Sequence, residues 1–371
     1  MTLLYTQGFE AYDATATRTV LDKDFNYNED VLATEAGLTT GRNGLGVAAF
    51  HARSGGISTT AAGHIIPCAG LSSEDDWVVG FAFRSVFGWF DVSGTERSPI
   101  LEFIDSDGVI MLSVYLASGT LNVRNGNPAT GTKLGFADAL LTTNVWHYFE
   151  CKVNFNAAGS VTLHLNEEPV LTLSTVQTIV TGGDTRPSSI AIGGGIRGQR
   201  IEVDDIYMLD DTGSIPAHTT FLGDVRIERL NPTGIGATDG SGTEFTPLAG
   251  TNWASVADAG TTGITDDDTS YVESSTLSDK DTYAFGAALS VTPANIEAVS
   301  IKTSVRKTDA GSRNFVHVAK QTTELDSAIL YPSVTYRYME SIFPQDPVAG
   351  TPATWTASNL ATAEFGYKVN A

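Results

Sequence analysis

The chain has few cysteines, few basic side chains and no long apolar run among its 371 residues. Its two cysteines, Cys68 and Cys151, are too few for a disulfide scaffold. Their apolar neighbours favour two buried free thiols, and one long-range bridge between them is the alternative. No segment approaches the ~18 consecutive apolar residues of a membrane-spanning helix, so we expect no insertion into a membrane.

Basic side chains are scarce, because 22 Lys and Arg stand against 43 Asp and Glu, which gives a net charge of -21. This charge repels phosphate backbones and anionic lipid surfaces, so we expect no nucleic-acid partner. It suits docking to a partner that carries a basic patch. The first residues, Met1–Thr6, lack the basic region, apolar core and cleavage site of a signal peptide.

Charged residues make up only 18% of the chain, while glycine is abundant at 37 residues. This composition is typical of many short strands joined by tight turns and disfavours a helical bundle. The length leaves room for two domains, each with its own core.

The segment Ile201–Asp211 alternates apolar and acidic side chains, a pattern typical of a strand with one buried face. The apolar residues are predicted to face a core: Ile201, Val203, Ile206 and Met208. Their spacing of two residues is interrupted once, between Val203 and Ile206, by one extra residue. The acidic set is predicted to meet water on an edge strand: Glu202, Asp204, Asp210 and Asp211. We interpret this strand as the last of an N-terminal β-sandwich.

Segments that precede Ile201 in the chain are also predicted to form strands and hairpins. Thr143–Phe155 places Trp146, Tyr148, Glu150 and Lys152 on one face and a mostly apolar set on the other, which is predicted to face the core. The turn Asp105–Gly108 predicts a hairpin, and Glu167–Pro169 predicts another. Hairpin spacing over roughly 210 residues predicts a large antiparallel sandwich.

The order of these features resembles the end of a concanavalin A-like or laminin-G-like jelly roll over residues 1–212. It consists of a Trp-centred strand, the hairpin at Val161–Ser174, the Gly-rich bend Gly193–Gly198 and the strand from Ile201. We therefore predict an all-β chain, with a large antiparallel jelly-roll sandwich followed by a second, smaller β-sandwich domain. The predicted divisions are residues 1–212, a linker at 213–220 and residues 221–371, which a strand at Asp224–Arg229 would open.

Three later segments resemble tailed-bacteriophage structural proteins that carry this jelly roll at their N-terminus: Phe221–Pro232, Asp279–Phe285 and Ala363–Val369. The resemblance implies a structural protein of the virion, homo-oligomeric in the particle, whose partners are other virion proteins of the tail or capsid. A tail-associated fibre, baseplate or receptor-binding component is the leading interpretation, with a host surface glycan as a further partner. A capsid decoration or cement protein and an extracellular carbohydrate-binding lectin are the alternatives.

A glycosidase interpretation rests on Glu202 and Asp204, which begin the Glu-x-Asp-x-x-Glu strand of laminarinase-like enzymes. Tyr207 stands where the final Glu is required, so the acid/base is missing. The histidines and cysteines lack zinc-ligand spacing, and no Gly-x-Ser-x-Gly elbow is present. We therefore expect no catalysis, no catalytic residue, no cofactor and no metal.

The acidic clusters Asp204–Asp205, Asp210–Asp211 and Asp266–Asp268 offer the oxygen ligands that calcium needs. None matches a spaced calcium loop, so solvated loops are favoured for these clusters. Exposed aromatic rings would stack on sugars. Trp89 and Phe90, in the loop-like segment Gly88–Gly94, are the best candidates for such stacking, whereas most other tryptophans are expected in the core.

Overall fold

The computed structural model describes residues 2–9, 36–42, 47–52, 64–86, 98–117, 119–138, 141–193, 200–210, 218, 220–236, 244–257, 267–286, 289–348 and 353–371. Within them the protein is nearly all β and is built from antiparallel sheets, which confirms the predicted class. The chain folds into two compact units that change over between Ile227 and Glu228. We call these unit 1 and unit 2.

The described part of unit 1 consists of strands and their connections. The strands are β1 (Thr2–Gln7), β2 (Ala36–Thr40), β3 (Val47–Ala52), β4 (His64–Pro67), β5 (Asp76–Ser85), β6 (Ser98–Ile104), β7 (Ile110–Ala117), β8 (Thr120–Asn125), β9 (Thr132–Asp138), β10 (His147–Asn154), β11 (Gly159–Leu165), β12 (Glu168–Val176), β13 (Ser189–Ile192) and β14 (Arg200–Asp210).

These strands form two sheets. The large sheet has the order β12-β11-β10-β5-β14-β3-β2, and β1 also pairs with β14. The second sheet has the order β4-β13-β6-β7-β8-β9. The Phe81 and Phe149 rings pack 5.3 Å apart on the large sheet, and Phe103 of the second sheet packs 5.1 Å from Phe155 at the end of β10. Burial of these rings places the core between the sheets.

Strand β14 lies inside the large sheet. It pairs with β5 on one side, and with β3 and then β1 on the other. The predicted edge position is therefore wrong. Its apolar set is buried as predicted: Ile201, Val203, Ile206 and Met208.

The acidic set of β14 is buried too, so the prediction that it meets water is wrong. Glu202, Asp204 and Asp210 are each at most 2% exposed, and Asp211 lies outside the described residues. An interior strand has neighbours on both edges, and here other polar groups cover its outward face at Glu202 and Asp204, as described below, whereas Asp210 pairs with the buried Trp77. Such burial requires that the carboxylates find partners.

The extra step in the alternation is a β-bulge at Asp205. Asp204 pairs with Ala82 and Tyr207 pairs with Gly80, so Asp205 and Ile206 together face one residue of β5. Asp205 has a φ of 50°, a left-handed conformation that is uncommon for a residue other than glycine. The bulge keeps Tyr207 on the same face of the sheet as Asp204.

The two predicted hairpins are present. In the turn between β6 and β7, Asp105 Oδ1 accepts hydrogen bonds from the N–H groups of Asp107 (3.0 Å) and Val109 (2.7 Å). Between β11 and β12 the turn residues are Asn166 and Glu167, with φ of 52° and 69°. Two positive φ values are typical of the type I′ turn, so this turn begins one residue earlier than predicted.

The described part of unit 2 has short strands and two helical turns. The strands are β15 (Gly234–Ile235), β16 (Thr246–Pro247), β17 (Val272–Glu273), β18 (Lys280–Ala284), β19 (Val299–Val305), β20 (Phe315–Lys320), β21 (Glu324–Asp326), β22 (Arg337–Phe343) and β23 (Glu364–Val369). The helices are α1 (Asn252–Ser255) and α2 (Ala357–Leu360).

A five-stranded sheet of order β15-β18-β23-β20-β21 is the largest in the described part of unit 2, beside the pairs β16-β17 and β19-β22. Its core packs Trp355 against Phe365 at 5.7 Å, and the Trp355 indole N–H donates to the Phe343 carbonyl at 2.8 Å. The predicted strand Asp224–Arg229 is wrong, since residues 221–233 are irregular.

Both cysteines are free and buried, which confirms the favoured interpretation. Burial raises the pKa of the Cys68 thiol to about 12 and raises the pKa of Cys151 as well. In the part of the chain that the structure describes, neither helix has the length or apolar character to cross a bilayer.

Candidate functional site

The outward face of the large sheet in unit 1 carries a cluster of buried ionisable groups. The sequence predicts that Trp146, Tyr148, Glu150 and Lys152 share one face, opposite a core-facing set. The core-facing set is buried as predicted at Phe149, Cys151 and Val153. Tyr148 and Glu150 are buried as well, so this polar face is covered at its centre.

Glu150, Gly80 and Tyr207 form a row across three neighbouring strands. Gly80 of β5 pairs with Glu150 on one side and with Tyr207 on the other. A Cβ on Gly80 would lie 2.1 Å from Cε1 of Tyr207, so only glycine lets this ring lie across β5. The Tyr207 hydroxyl thereby reaches Glu150 and donates to its Oε1 at 2.5 Å.

The second carboxylate oxygen of Glu150 has no hydrogen-bond partner among the described residues. Glu150 is only 1% exposed, and burial raises its pKa. A buried oxygen without a partner destabilises the folded state by about 1–3 kcal/mol. This atom is therefore a point at which a bound group would gain an interaction.

An irregular segment covers this row. We call Phe221–Ile227 the strap. Four of its backbone N–H groups donate to acceptors of the sheet and its β11–β12 turn, at 2.8–3.2 Å: Leu222 to Tyr207 Oη, Gly223 to Glu150 Oε1, Asp224 to Glu167 Oε1 and Ile227 to Asp205 Oδ1. The Phe221 ring also lies on His164 of β11, with 4.0 Å between centroids.

Asp204 and Asp205 form a second part of the site around Arg42. The Arg42 backbone N–H donates to Asp204 Oδ2 at 2.8 Å, and its guanidinium lies 3.4 Å from Asp205 Oδ2. The guanidinium also pairs with Asp224 of the strap and lies 5.3 Å from the centre of the Tyr148 ring. Burial raises the pKa of Asp204 to about 6, and burial together with the Asp204 charge raises the pKa of Asp205 to about 7.

A half-buried aromatic residue lies farther along the same face. The Arg84 guanidinium lies 4.8 Å from the centre of the Trp146 ring, and Arg84 Nε donates to Glu202 Oε2 at 2.7 Å. We call Trp146, Arg84 and Glu202 the Trp146 edge. Of the other four tryptophans, Trp77 and Trp355 are buried in the two cores as expected, whereas Trp146 and Trp253 are half-buried, so two of the four and not most lie in a core.

The predicted stacking residues, Trp89 and Phe90, lie outside the described residues, so their role stays a prediction. The described residues contain no group of three or more His, Cys, Asp or Glu side chains placed to hold a metal ion. Sequence reasoning missed the Glu150–Tyr207 pair and the strap. Tyr207 drew attention only as a replacement for a catalytic Glu, although the polar set on β10 marked the face on which it lies.

No family model and no curated protein matches the sequence. Three solved structures with jelly-roll folds match over little more than half of the chain. A PL-14 alginate lyase from Aplysia kurodai is 11% identical, with a TM-score of 0.42, over 57% of this chain and 100% of that one. An endo-β-1,4-glucuronan lyase from Trichoderma reesei is 11% identical, with a TM-score of 0.39, over 56% and 95%.

A carbohydrate esterase from the Shiga toxin-encoding bacteriophage phi24B is 17% identical, with a TM-score of 0.36, over 56% of this chain and 97% of that one. These neighbours are named as enzymes, which contradicts the sequence-based expectation of a chain without catalysis. That expectation rested on the absence of a complete glycosidase pattern, of zinc-ligand spacing and of a Gly-x-Ser-x-Gly elbow, and these three tests do not cover other kinds of catalytic site. At identities this low, the similarity concerns the fold alone. It assigns no residue of this chain a catalytic role.

Proposed function

We propose that unit 1 binds carbohydrate on the outward face of its large sheet. The observation that carries this proposal is the combination of buried hydrogen-bonding groups around Glu150 with the half-buried Trp146 on one sheet face. Sugar recognition uses an aromatic ring for the apolar face of the sugar and fixed polar groups for its hydroxyls. Both kinds of group are described on this face.

The energetic cost of this face supports a binding role. Glu150, Asp204 and Asp205 are ionisable groups held away from water, and burial raises the pKa of each. Apolar side chains would stabilise an interior sheet face better than carboxylates do. Clusters of perturbed carboxylates are typical of functional sites.

The test is a glycan array probed with the full chain, followed by calorimetry on the glycans that bind. Trp146→Ala should weaken binding by about tenfold or more, because the ring contact is lost. Trp253→Ala, which removes a half-buried indole from unit 2, is the matched control and should bind as the wild type does. Absence of binding to any glycan, or an equal loss in both variants, would refute the proposal.

We further propose that the protein is a component of a tailed-phage virion, associated with the tail and exposed to host glycans. The resemblance of Phe221–Pro232, Asp279–Phe285 and Ala363–Val369 to phage structural proteins supports this placement. Gold-tagged antibody against the chain should label tail tips or fibres of intact particles. Label spread over the head would instead favour a capsid decoration protein, and particles without label would remove the virion placement.

A further inference from the structure

We infer that the strap occupies a ligand site on the outward sheet face, and that the ligand is a glycan which donates hydrogen bonds and carries no carboxylate. This inference rests on the proposed function and adds the class of ligand. Its evidence is the direction of the strap's hydrogen bonds, the charge of the groups beneath it and the unpartnered oxygen of Glu150.

In its contacts with the sheet, the strap contributes mainly hydrogen-bond donors. Its four N–H groups reach four acceptor oxygens on Tyr207, Glu150, Glu167 and Asp205. The Tyr207 hydroxyl donates in turn to Glu150, so the sheet contributes an acceptor surface. A ligand that replaced the strap would have to supply donors in these positions, as the hydroxyl or ammonium groups of a sugar do.

The charge of the site disfavours an acidic polymer. The carboxylates of the cluster are Glu150, Glu167, Asp204, Asp205 and Asp224. The cations whose charge acts on it are Arg42, which pairs with Asp205 and Asp224, and Arg226, which acts on Asp204. A uronate chain would add negative charge beside these carboxylates, and like charges in contact are costly. A neutral or amino sugar meets no such penalty.

Glu150 supplies the independent sign of a ligand. Its Oε1 is occupied by Tyr207 and Gly223, while its buried Oε2 has no partner in the described structure. The strap therefore leaves Oε2 of Glu150, one of the acceptor atoms beneath it, without a hydrogen bond. Two neighbouring sugar hydroxyls could donate one hydrogen bond to each oxygen of this carboxylate, so a ligand in place of the strap would satisfy both oxygens.

Gly223 offers a way to open the strap. Its φ is +80°, and a Cβ there would lie 3.2 Å from Glu167 Oε1, so Gly223→Ala strains the strap at its central contact. Gly182→Ala is the matched control, because Gly182 in unit 1 has a φ of +83° and open space around it. Hydrogen exchange at residues 222–227 reports whether the strap has opened.

The probes are chitosan oligosaccharides, dextran oligosaccharides and alginate oligosaccharides, titrated into the full chain. We expect Gly223→Ala to bind a neutral or amino probe about tenfold more tightly than wild type, with Gly182→Ala unchanged and alginate unbound. Adding Glu150→Gln to Gly223→Ala should abolish the gain. If Gly223→Ala leaves hydrogen exchange of the strap unchanged, Ile227→Pro is used in its place, because proline lacks the N–H that donates to Asp205.

Two results would overturn the inference while leaving the proposed function intact. One is faster hydrogen exchange of the strap in Gly223→Ala together with glycan binding at the wild-type level. The glycan would then bind elsewhere, for example at the Trp146 edge. The other is a gain in alginate binding, which would contradict the ligand class. If neither wild type nor the opened variant binds any glycan on the array, the proposed function itself fails.

Discussion

At the scale of single residues, the site depends on one glycine. Gly80 has no side chain, and this absence lets the Tyr207 ring cross β5 to reach Glu150. The sequence shows a glycine within an apolar strand, WVVGFAF, which is a position that often marks a close approach of other groups. It does not show which side chain approaches, because the partner lies 127 residues away in the chain (207 − 80).

Gly80→Ala should therefore destabilise unit 1. The new methyl group would overlap the Tyr207 ring, so the ring must move and its bond to Glu150 must break. We expect the free energy of unfolding, measured by urea denaturation, to fall by about 1–3 kcal/mol. Gly234→Ala, at a glycine with open space and no positive φ, should change it by about 0.5 kcal/mol or less. Equal effects of the two substitutions would contradict this role for Gly80.

The Asp204–Asp205 pair makes a prediction about pH. In the folded protein the pKa values of these carboxyls are raised from 3.8 to about 6 and about 7. The folded state thus binds protons more tightly than the unfolded state, so this pair favours folding below the unfolded pKa. Its contribution is lost as pH rises through the folded values, and the free energy of unfolding of unit 1 should fall between about pH 4 and 7.

The test compares this slope in the wild type with that in the double variant Asp204→Asn, Asp205→Asn. The double variant should show a shallower decline, because it has no carboxyl to titrate at these positions. Asp107→Asn, in the exposed β6–β7 turn, is the control and should keep the wild-type slope. A double variant with an unchanged slope would show that other groups cause the decline.

At the scale of elements, the type I′ turn between β11 and β12 positions Glu167, one of the four residues that accept hydrogen bonds from the strap. Asn166 Oδ1 accepts from the Tyr148 N–H at 3.0 Å, and Glu167 beside it accepts from the strap. Asn166→Ala removes this bond and the 3.2 Å hydrogen bond between Asn166 Nδ2 and His147 Nδ1, and it places alanine at positive φ. We expect a loss of about 2–4 kcal/mol in stability, measured by urea denaturation.

Asn144→Ala separates the two causes. Asn144 has a similar φ of 60° and is exposed, and the structure describes no side-chain hydrogen bond from it. It should therefore lose only the backbone preference, and the difference between the variants should be about 2 kcal/mol, the value of two typical hydrogen bonds. Identical losses would mean that the Asn166 side chain adds nothing to the turn.

The elements also show where a sequence pattern predicts structure and where it does not. The alternation in β14 predicts the strand, its core face and its bulge, because apolar burial with period two is local information. The strand predicted at Asp224–Arg229 is absent, because N–H groups there bond to side chains of the large sheet and of its β11–β12 turn. Strand β9 escapes prediction, since this edge strand exposes residues on both faces and so lacks a clear apolar pattern.

At the scale of the whole molecule, composition predicts the all-β class correctly, because glycine-rich turns and few charges are global properties. It predicts the site poorly. A chain with 43 acidic residues and 22 basic ones suggests carboxylates in water, whereas the described β14 buries four of them. Which carboxylates are buried depends on sheet order and on the strap, and both are set by interactions between residues distant in sequence.

The central claim is that the outward face of the large sheet in unit 1 binds glycan. Hydrogen exchange of the full chain, with and without the strongest glycan from the array, tests it most directly. The account predicts that the glycan changes exchange at the strap and at Tyr148–Lys152 and Asp204–Tyr207, and leaves unit 2 unchanged. Protection confined to unit 2, or to the second sheet of unit 1, would contradict it.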